Sequence, residues 1–226
     1  MIHWRIDEGI GLISLDCPQG NMLCMDDLKK INRILSEEAC NVDGWVIEGR
    51  NRSFCTGLQV NCNAVSESFE LLDKVLLSLY SVSEPLTVSL TGHAIGAGLL
   101  MLCCADYVVS SDNERMKFGL PELKLGLGVD EMMVSLLHSS IPIPVMEQLI
   151  YSGEYVSYHS LNEWNLIDCV SEDSQFDECI KWIHRINENK DSFRFCKQTI
   201  RKRKIMEMRQ LIQLECFHKL AEFVQK

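Results

Sequence analysis

Positive charge is scarce in this chain. Its 226 residues carry 22 Lys and Arg against 32 Asp and Glu, a formal net charge of −10. Neutralising a phosphate backbone requires a basic surface, so this balance argues against nucleic acid as a partner. Long apolar runs are missing as well. The longest, from Ala94 to Ala105, is too short to cross a bilayer. The amino terminus, Met1-Ile2-His3-Trp4-Arg5, lacks the charged-then-apolar order of a signal peptide. A cytoplasmic location with no membrane partner is the expectation. No stretch rich in Pro, Gly and Ser, no low-complexity tract and no fixed-period repeat divides the sequence. With 46% hydrophobic residues it can bury one sizeable core as a single domain. There is no Gly-x-Ser-x-Gly elbow for a serine hydrolase, and no His/Asp/Glu spacing suggests a metal.

Cysteine, by contrast, is plentiful. The eleven include no Cys-x-x-Cys, their number is odd, and Cys103 and Cys104 are adjacent. Several stand inside apolar runs, where a free thiol acts as a small hydrophobe. They read as reduced core residues of a reducing compartment. One basic cluster interrupts the acidic composition: Lys197, Arg201, Lys202, Arg203 and Lys204. It reads as a solvated helix face, with a small anion site as the other reading.

Strand and helix patterns alternate through the first half. Gly11–Leu15, Gly44–Glu48, Leu86–Leu90 and Asp106–Val109 have strand character, and Pro18-Gln-Gly20 and Gly49–Ser53 are turns. Asp26 and Asp27 open a helix whose Met25, Leu28, Ile31 and Leu35 share one face. A second helix spans Glu67 to Ser81, with Phe69, Leu72, Val75, Leu76 and Leu79 as its apolar stripe. After Gly96-Ala97-Gly98 comes a helix apolar on every side, which predicts complete burial. Helices begin near Glu131, Pro144, Ser157 and Gln175, and a last one runs from about Asp191 to Val224. The order indicates an α/β fold with a core over 1–170 and a helical region over 171–226 of the same domain.

Two glycine turns carry the chemical signal. Gly96-Ala97-Gly98 stands where a strand meets the buried helix, so a ligand oxygen can approach the backbone closely. The first N–H groups of a helix have no partner within it and carry partial positive charge. Tight strand–helix packing explains the same pattern equally well. Phe54-Cys-Thr-Gly57 also follows a strand and ends in a glycine turn. Two backbone donors from separate loops, converging on one oxygen, would make an oxyanion hole.

The segments Phe54-Cys-Thr-Gly57, Gly92-His-Ala-Ile-Gly-Ala-Gly98, Ala105-Asp106 and Phe118-Gly-Leu-Pro-Glu122 resemble, in order and spacing, the signature blocks of the enoyl-CoA hydratase/isomerase (crotonase) superfamily. Glu163-Trp-Asn-Leu-Ile-Asp168 is similar to a later block, and the resemblance covers roughly residues 5 to 170. It implies a fold of repeated ββα units and a homotrimer or dimer of trimers. It also implies an acyl-CoA or acyl-carrier thioester as substrate, with coenzyme A as part of that substrate and no tightly bound cofactor. The thioester oxygen would be held by the N–H groups of Thr56 and Ala97, with Gly57, Gly96, Gly98 and Leu100 around the substrate. The carboxy-terminal region would join subunits and cover the acyl pocket, shortened here by the end at Lys226.

Glu122, after Pro121, matches a catalytic glutamate of that family; the alternative is a surface carboxylate in a turn. Asp130, eight residues on, is similarly placed to the catalytic aspartate of dienoyl-CoA isomerases and the nucleophile of 4-halobenzoyl-CoA dehalogenases. It is equally well placed to cap the following helix. His93 is more easily read as packed or solvent-facing than as chemical. The two-acid hydratases of the family have a second glutamate where this chain has Leu100, and the usual acid after the first glycine turn is replaced by Leu58 and Gln59. Hydration wants two acid–base groups, whereas shifting a double bond needs one base that removes a proton and returns it. The resemblance therefore implies double-bond isomerisation of an enoyl thioester. The alternatives are hydration, dehydration or decarboxylation, for example in polyketide assembly, or acyl binding without turnover.

Overall fold

Nearly every residue of Gly44–Gly49 and all of Leu86–Leu90 are buried, as parallel strands covered on both faces require. They lie at the centre of a six-stranded sheet in a computed structural model that describes residues 1–38, 41–59 and 64–214. The strand order is β1 (Ile2–Asp7), β2 (Ile10–Leu15), β3 (Gly44–Gly49), β5 (Leu86–Leu90), β7 (Tyr107–Ser110) and β9 (Cys169–Val170). β1 and β2 form an antiparallel hairpin, and every later pair is parallel. A smaller parallel sheet joins β4 (Ser53–Cys55), β6 (His93–Ile95) and β8 (Phe118–Gly119).

The two sheets are built by one repeated step. A long strand, a short strand and a helix follow one another three times. The first is β3, β4 and α3 (Val65–Ser81), and the second is β5, β6 and α4 (Ala97–Cys104). The third is β7, β8 and α5 (Glu131–His138), with a 3₁₀ turn at Pro121–Leu125 before the helix. The opening hairpin leads to α1 (Pro18–Asn21) and α2 (Met25–Arg33). Helices α6 (Ile143–Ser152), α7 (Tyr158–Glu163), α8 (Gln175–Asn187) and α9 (Lys190–Gln213) complete the described chain. These are the ββα units and helical carboxy-terminal region that the sequence predicts.

Helix α4 is buried at all eight positions and packs against α3, α5, β4 and β6, as its uniformly apolar sequence requires. Helix α8 closes the other face of the large sheet, where Cys179 and Ile183 meet Ile10, Leu12, Val46 and Val109. The eight described cysteines are all free thiols. No helix among the described residues is long and apolar enough to cross a membrane.

The basic cluster on α9 turns inward at two positions, which corrects both the solvated-face and the anion-site reading for them. The Lys197 side chain is only 4% exposed and pairs with Asp106 at 2.5 Å, and Arg201, 11% exposed, pairs with the same carboxylate at 2.8 Å. Arg201 also donates to the carbonyls of Tyr80, Cys104 and Ala105, at the carboxyl ends of α3 and α4. Burial pushes Lys197 down to about 8 although Asp106 pulls the other way. The internal anion is Asp106, so the cluster fastens α9 to the core of its own chain. Part of the helix expected from Asp191 to Val224 lies outside the described residues.

Candidate active site

The three strands of the small sheet run parallel, so their carboxyl ends lie together. β4 leads into Thr56 and Gly57, β6 into Gly96 and Ala97, and β8 through Leu120 into Pro121 and Glu122. The Gly96 N–H donates to the Gly119 carbonyl at 2.9 Å, tying the second exit to the third. All three exits line one cavity of about 110 Å³. Its other walls are apolar, including Phe69 and Leu72 from α3, Leu100 from α4 and Met133 from α5.

Among the described residues, Glu122 is the only titratable side chain in that lining. Its Oε2 is buried and has no hydrogen-bond partner among the described residues. Burial among apolar groups penalises the charged form and pushes this carboxyl up to about 7. A carboxyl poised near neutrality can both take and return a proton at ordinary pH. The N–H groups of Thr56 and Ala97 donate to no turn, loop or cap carbonyl among the described residues. Ala97 is the first residue of α4, where no intrahelical acceptor exists.

Two glycines have separable tasks. Gly96 has φ +55°, which disfavours any L side chain, and a Cβ there would stand 2.9 Å from Glu122 Oε1. Gly98 instead lets α4 press onto β4, since its Cβ would fall 2.2 Å from the Cys55 carbonyl oxygen. It is absent from the lining of this cavity, and the contact it makes is the close packing of the two glycine turns. Gly96→Ala should therefore displace Glu122. The expected result is a loss of turnover of at least tenfold in a protein that still melts cooperatively; unchanged kcat/KM would show that Glu122 is not held by this contact.

Asp130 is the N-cap of α5, accepting the Met133 N–H at 2.8 Å, and it does not line the cavity. His93, partly exposed, accepts the Lys117 N–H through Nδ1 and is likewise outside the lining. Leu100 is 1% exposed and fills the wall with an apolar side chain. The sequence reading missed one acid altogether. Asp73 of α3 is completely buried, and burial, with the charge of Asp130 next, raises its carboxyl well above the ordinary range. The signal was available, because Asp73 is four residues from Phe69 and three from Leu76 on the buried side of the helix. No cluster of three or more potential metal ligands occurs among the described residues.

Comparison with known proteins places the chain in a family and agrees with the fold. The profile of the Enoyl-CoA hydratase/isomerase family matches residues 5–222. A peroxisomal bifunctional enzyme of Cavia porcellus is 25% identical over 189 residues, covering 81% of this chain and 26% of that protein. A probable enoyl-CoA hydratase of Mycobacterium leprae is 27% identical over 188 residues, covering 75% of this chain and 63% of that one. In both cases the match spans less than two thirds of the relative. Among solved structures, an enoyl-CoA hydratase from Mycobacterium marinum superposes with a TM-score of 0.85 at 19% identity, over 95% of this chain and 97% of that one. An enoyl-CoA hydratase from Bacillus halodurans gives a TM-score of 0.85 at 17% identity, over 100% and 95%. At these identities the structures establish the crotonase fold.

Proposed function

Because the chain belongs to the enoyl-CoA hydratase/isomerase family, we propose that it binds a CoA- or carrier-bound enoyl thioester and shifts its double bond with Glu122 as the sole acid–base. The observation that carries the reading is the single titratable group among the described residues of a largely apolar cavity, with Leu100 where a second glutamate would serve hydration. In a 3-enoyl thioester the Glu122 carboxylate takes a proton from C2. The C2–H electrons form a C1–C2 double bond while the thioester carbonyl pair moves to oxygen. As this enolate collapses, the C1–C2 pair becomes the C2–C3 double bond, and the C3–C4 pair takes a proton at C4 from the Glu122 carboxyl, which exchanges with solvent between the two transfers. The N–H groups of Thr56 and Ala97 would hold the enolate oxygen between the two transfers. Hydration is the second reading, favoured by the names of the relatives. It requires a second acid–base group, for which Asp130 is the candidate. Assembly as a homotrimer or dimer of trimers and a cytoplasmic location belong to the same proposal, the latter supported by the free thiols.

The test is a 3-enoyl-CoA in deuterated buffer, followed across pH. Base catalysis requires the ionised carboxyl, so kcat/KM should rise as pH passes through about 7, in step with Glu122. The product should be the 2-enoyl thioester carrying deuterium. A rate that falls over that interval, or a 3-hydroxyacyl product, would replace isomerisation by acid-assisted hydration.

A further inference from the structure

Two buried acids, Asp73 of α3 and Asp130 at the start of α5, lie outside the cavity lining, and among the described residues neither is paired with a cation. Asp73 is 0% exposed, and neither carboxyl oxygen has a hydrogen-bond partner among the described residues. Asp130 is 7% exposed; its Oδ1 takes the Met133 N–H, and its Oδ2 is buried and unpartnered. The charged groups acting on Asp73 are Asp130 and Glu70, and the one acting on Asp130 is Glu131, all acidic. Helix α4, packed against α3, offers only apolar side chains and thiols. From α9, Lys197 and Arg201 are engaged by Asp106, and Lys30 of α2 donates to the Ile2 carbonyl.

Two bare carboxylates in this setting would combine desolvation with mutual repulsion, and neighbouring buried carboxyls answer such a setting by keeping a proton. Their placement gives that proton a consequence. Asp73 adjoins Leu72, and Asp130 caps the turn that carries Met133; Leu72 and Met133 both line the cavity. We propose that Asp73 is held as a neutral acid beside Asp130, so that the two carboxyls carry one negative charge between them, and that Asp73 is thereby a positioning residue for the cavity wall. Losing the second proton would set like charges against each other between α3 and the start of α5 and move Leu72 relative to Met133. Burial, followed by the charge of Asp130, raises Asp73, and burial raises Asp130 above the ordinary carboxylate range.

The experiment needs no substrate, so its outcome is separate from that of the isomerase reading. The whole protein, labelled with ¹³C at aspartate carboxyls and methionine methyls, is titrated by NMR. One aspartate carboxyl should stay protonated beyond about pH 6, roughly two units above the ordinary range. The Met133 methyl, assigned with Met133→Leu, should shift with the same midpoint. Asp73→Asn, a neutral side chain of the same shape, should abolish both responses. Asp130→Asn, which keeps the cap, should lower the Asp73 midpoint by removing the like charge. Both carboxyls titrating near pH 4 would overturn the shared charge. A Met133 methyl indifferent to the Asp73 midpoint would overturn the positioning role.

Discussion

Glu122→Gln should leave a folded protein whose turnover of an enoyl thioester is lower by about 10²- to 10⁴-fold, the usual contribution of a general acid–base. Glutamine keeps the size of the side chain and its contact with Gly96 but cannot accept and return a proton. Among the described residues no other group in the cavity lining titrates, so none of them can take over. A stability change of opposite sense should accompany the loss. Glu122 binds its proton more tightly folded than unfolded, so the stability that proton contributes disappears as pH rises from about 4.5 through about 7. Above that point the native protein holds a buried charge that the variant lacks, and Glu122→Gln should melt higher, by the equivalent of roughly 1–3 kcal/mol. Activity retained in the variant would move the chemistry to another residue. A lower melting temperature at pH 8 would show that the carboxylate is better solvated than its burial implies.

Asp106→Ala should be the most damaging single change to stability, at about 3–5 kcal/mol, because removing one partner of a buried ion pair strands the other. Here two cations are stranded, since Asp106 faces both Lys197 and Arg201, and the Leu86 N–H loses its 2.8 Å acceptor as well. For a chain of this size the loss corresponds to a fall in Tm of about 10 °C. Asp106→Asn retains an acceptor for Leu86 and should cost less. Adding Lys197→Met to Asp106→Ala removes one stranded charge and should recover part of the loss. Denaturant midpoints for the three variants give the comparison. A cost below about 1 kcal/mol for Asp106→Ala would mean that water reaches the cluster and screens it.

What the sequence made legible followed the length of the pattern. The buried helix at Ala97–Cys104 and the stripe from Phe69 to Leu79 were readable because one rule repeats over several turns. The strands of the small sheet were not, since Ser53–Cys55, His93–Ile95 and Phe118–Gly119 are too short for alternation to register. Yet these strands bring Thr56, Ala97 and Glu122 to one cavity, so motif order had to stand in for periodicity. Ile2–Asp7 was missed for another reason: as an edge strand it exposes most of its residues and lacks a clear apolar face. Lys197 and Arg201 defeated a local reading because their partner, Asp106, lies 91 residues away from Lys197 in sequence. Gly98 is open to two readings in sequence because close packing and close approach to a ligand ask for the same missing Cβ.

The reach of Arg201 also has a meaning in time. Two of the carbonyls it engages, those of Cys104 and Ala105, precede it by 97 and 96 residues, and that of Tyr80 by 121. A ribosome making this chain releases α3 and α4 long before α9 exists. During that interval both helices end in carbonyls whose eventual donor has not been synthesised, and Asp106 awaits both of its cations. The emerging polypeptide can gather its apolar side chains early, but the polar contacts around Asp106 and at the ends of α3 and α4 close only once Lys197 and Arg201 have been made. A nascent chain halted before Lys197 should therefore be far easier for a protease to cut than one halted after Arg201 has cleared the exit tunnel.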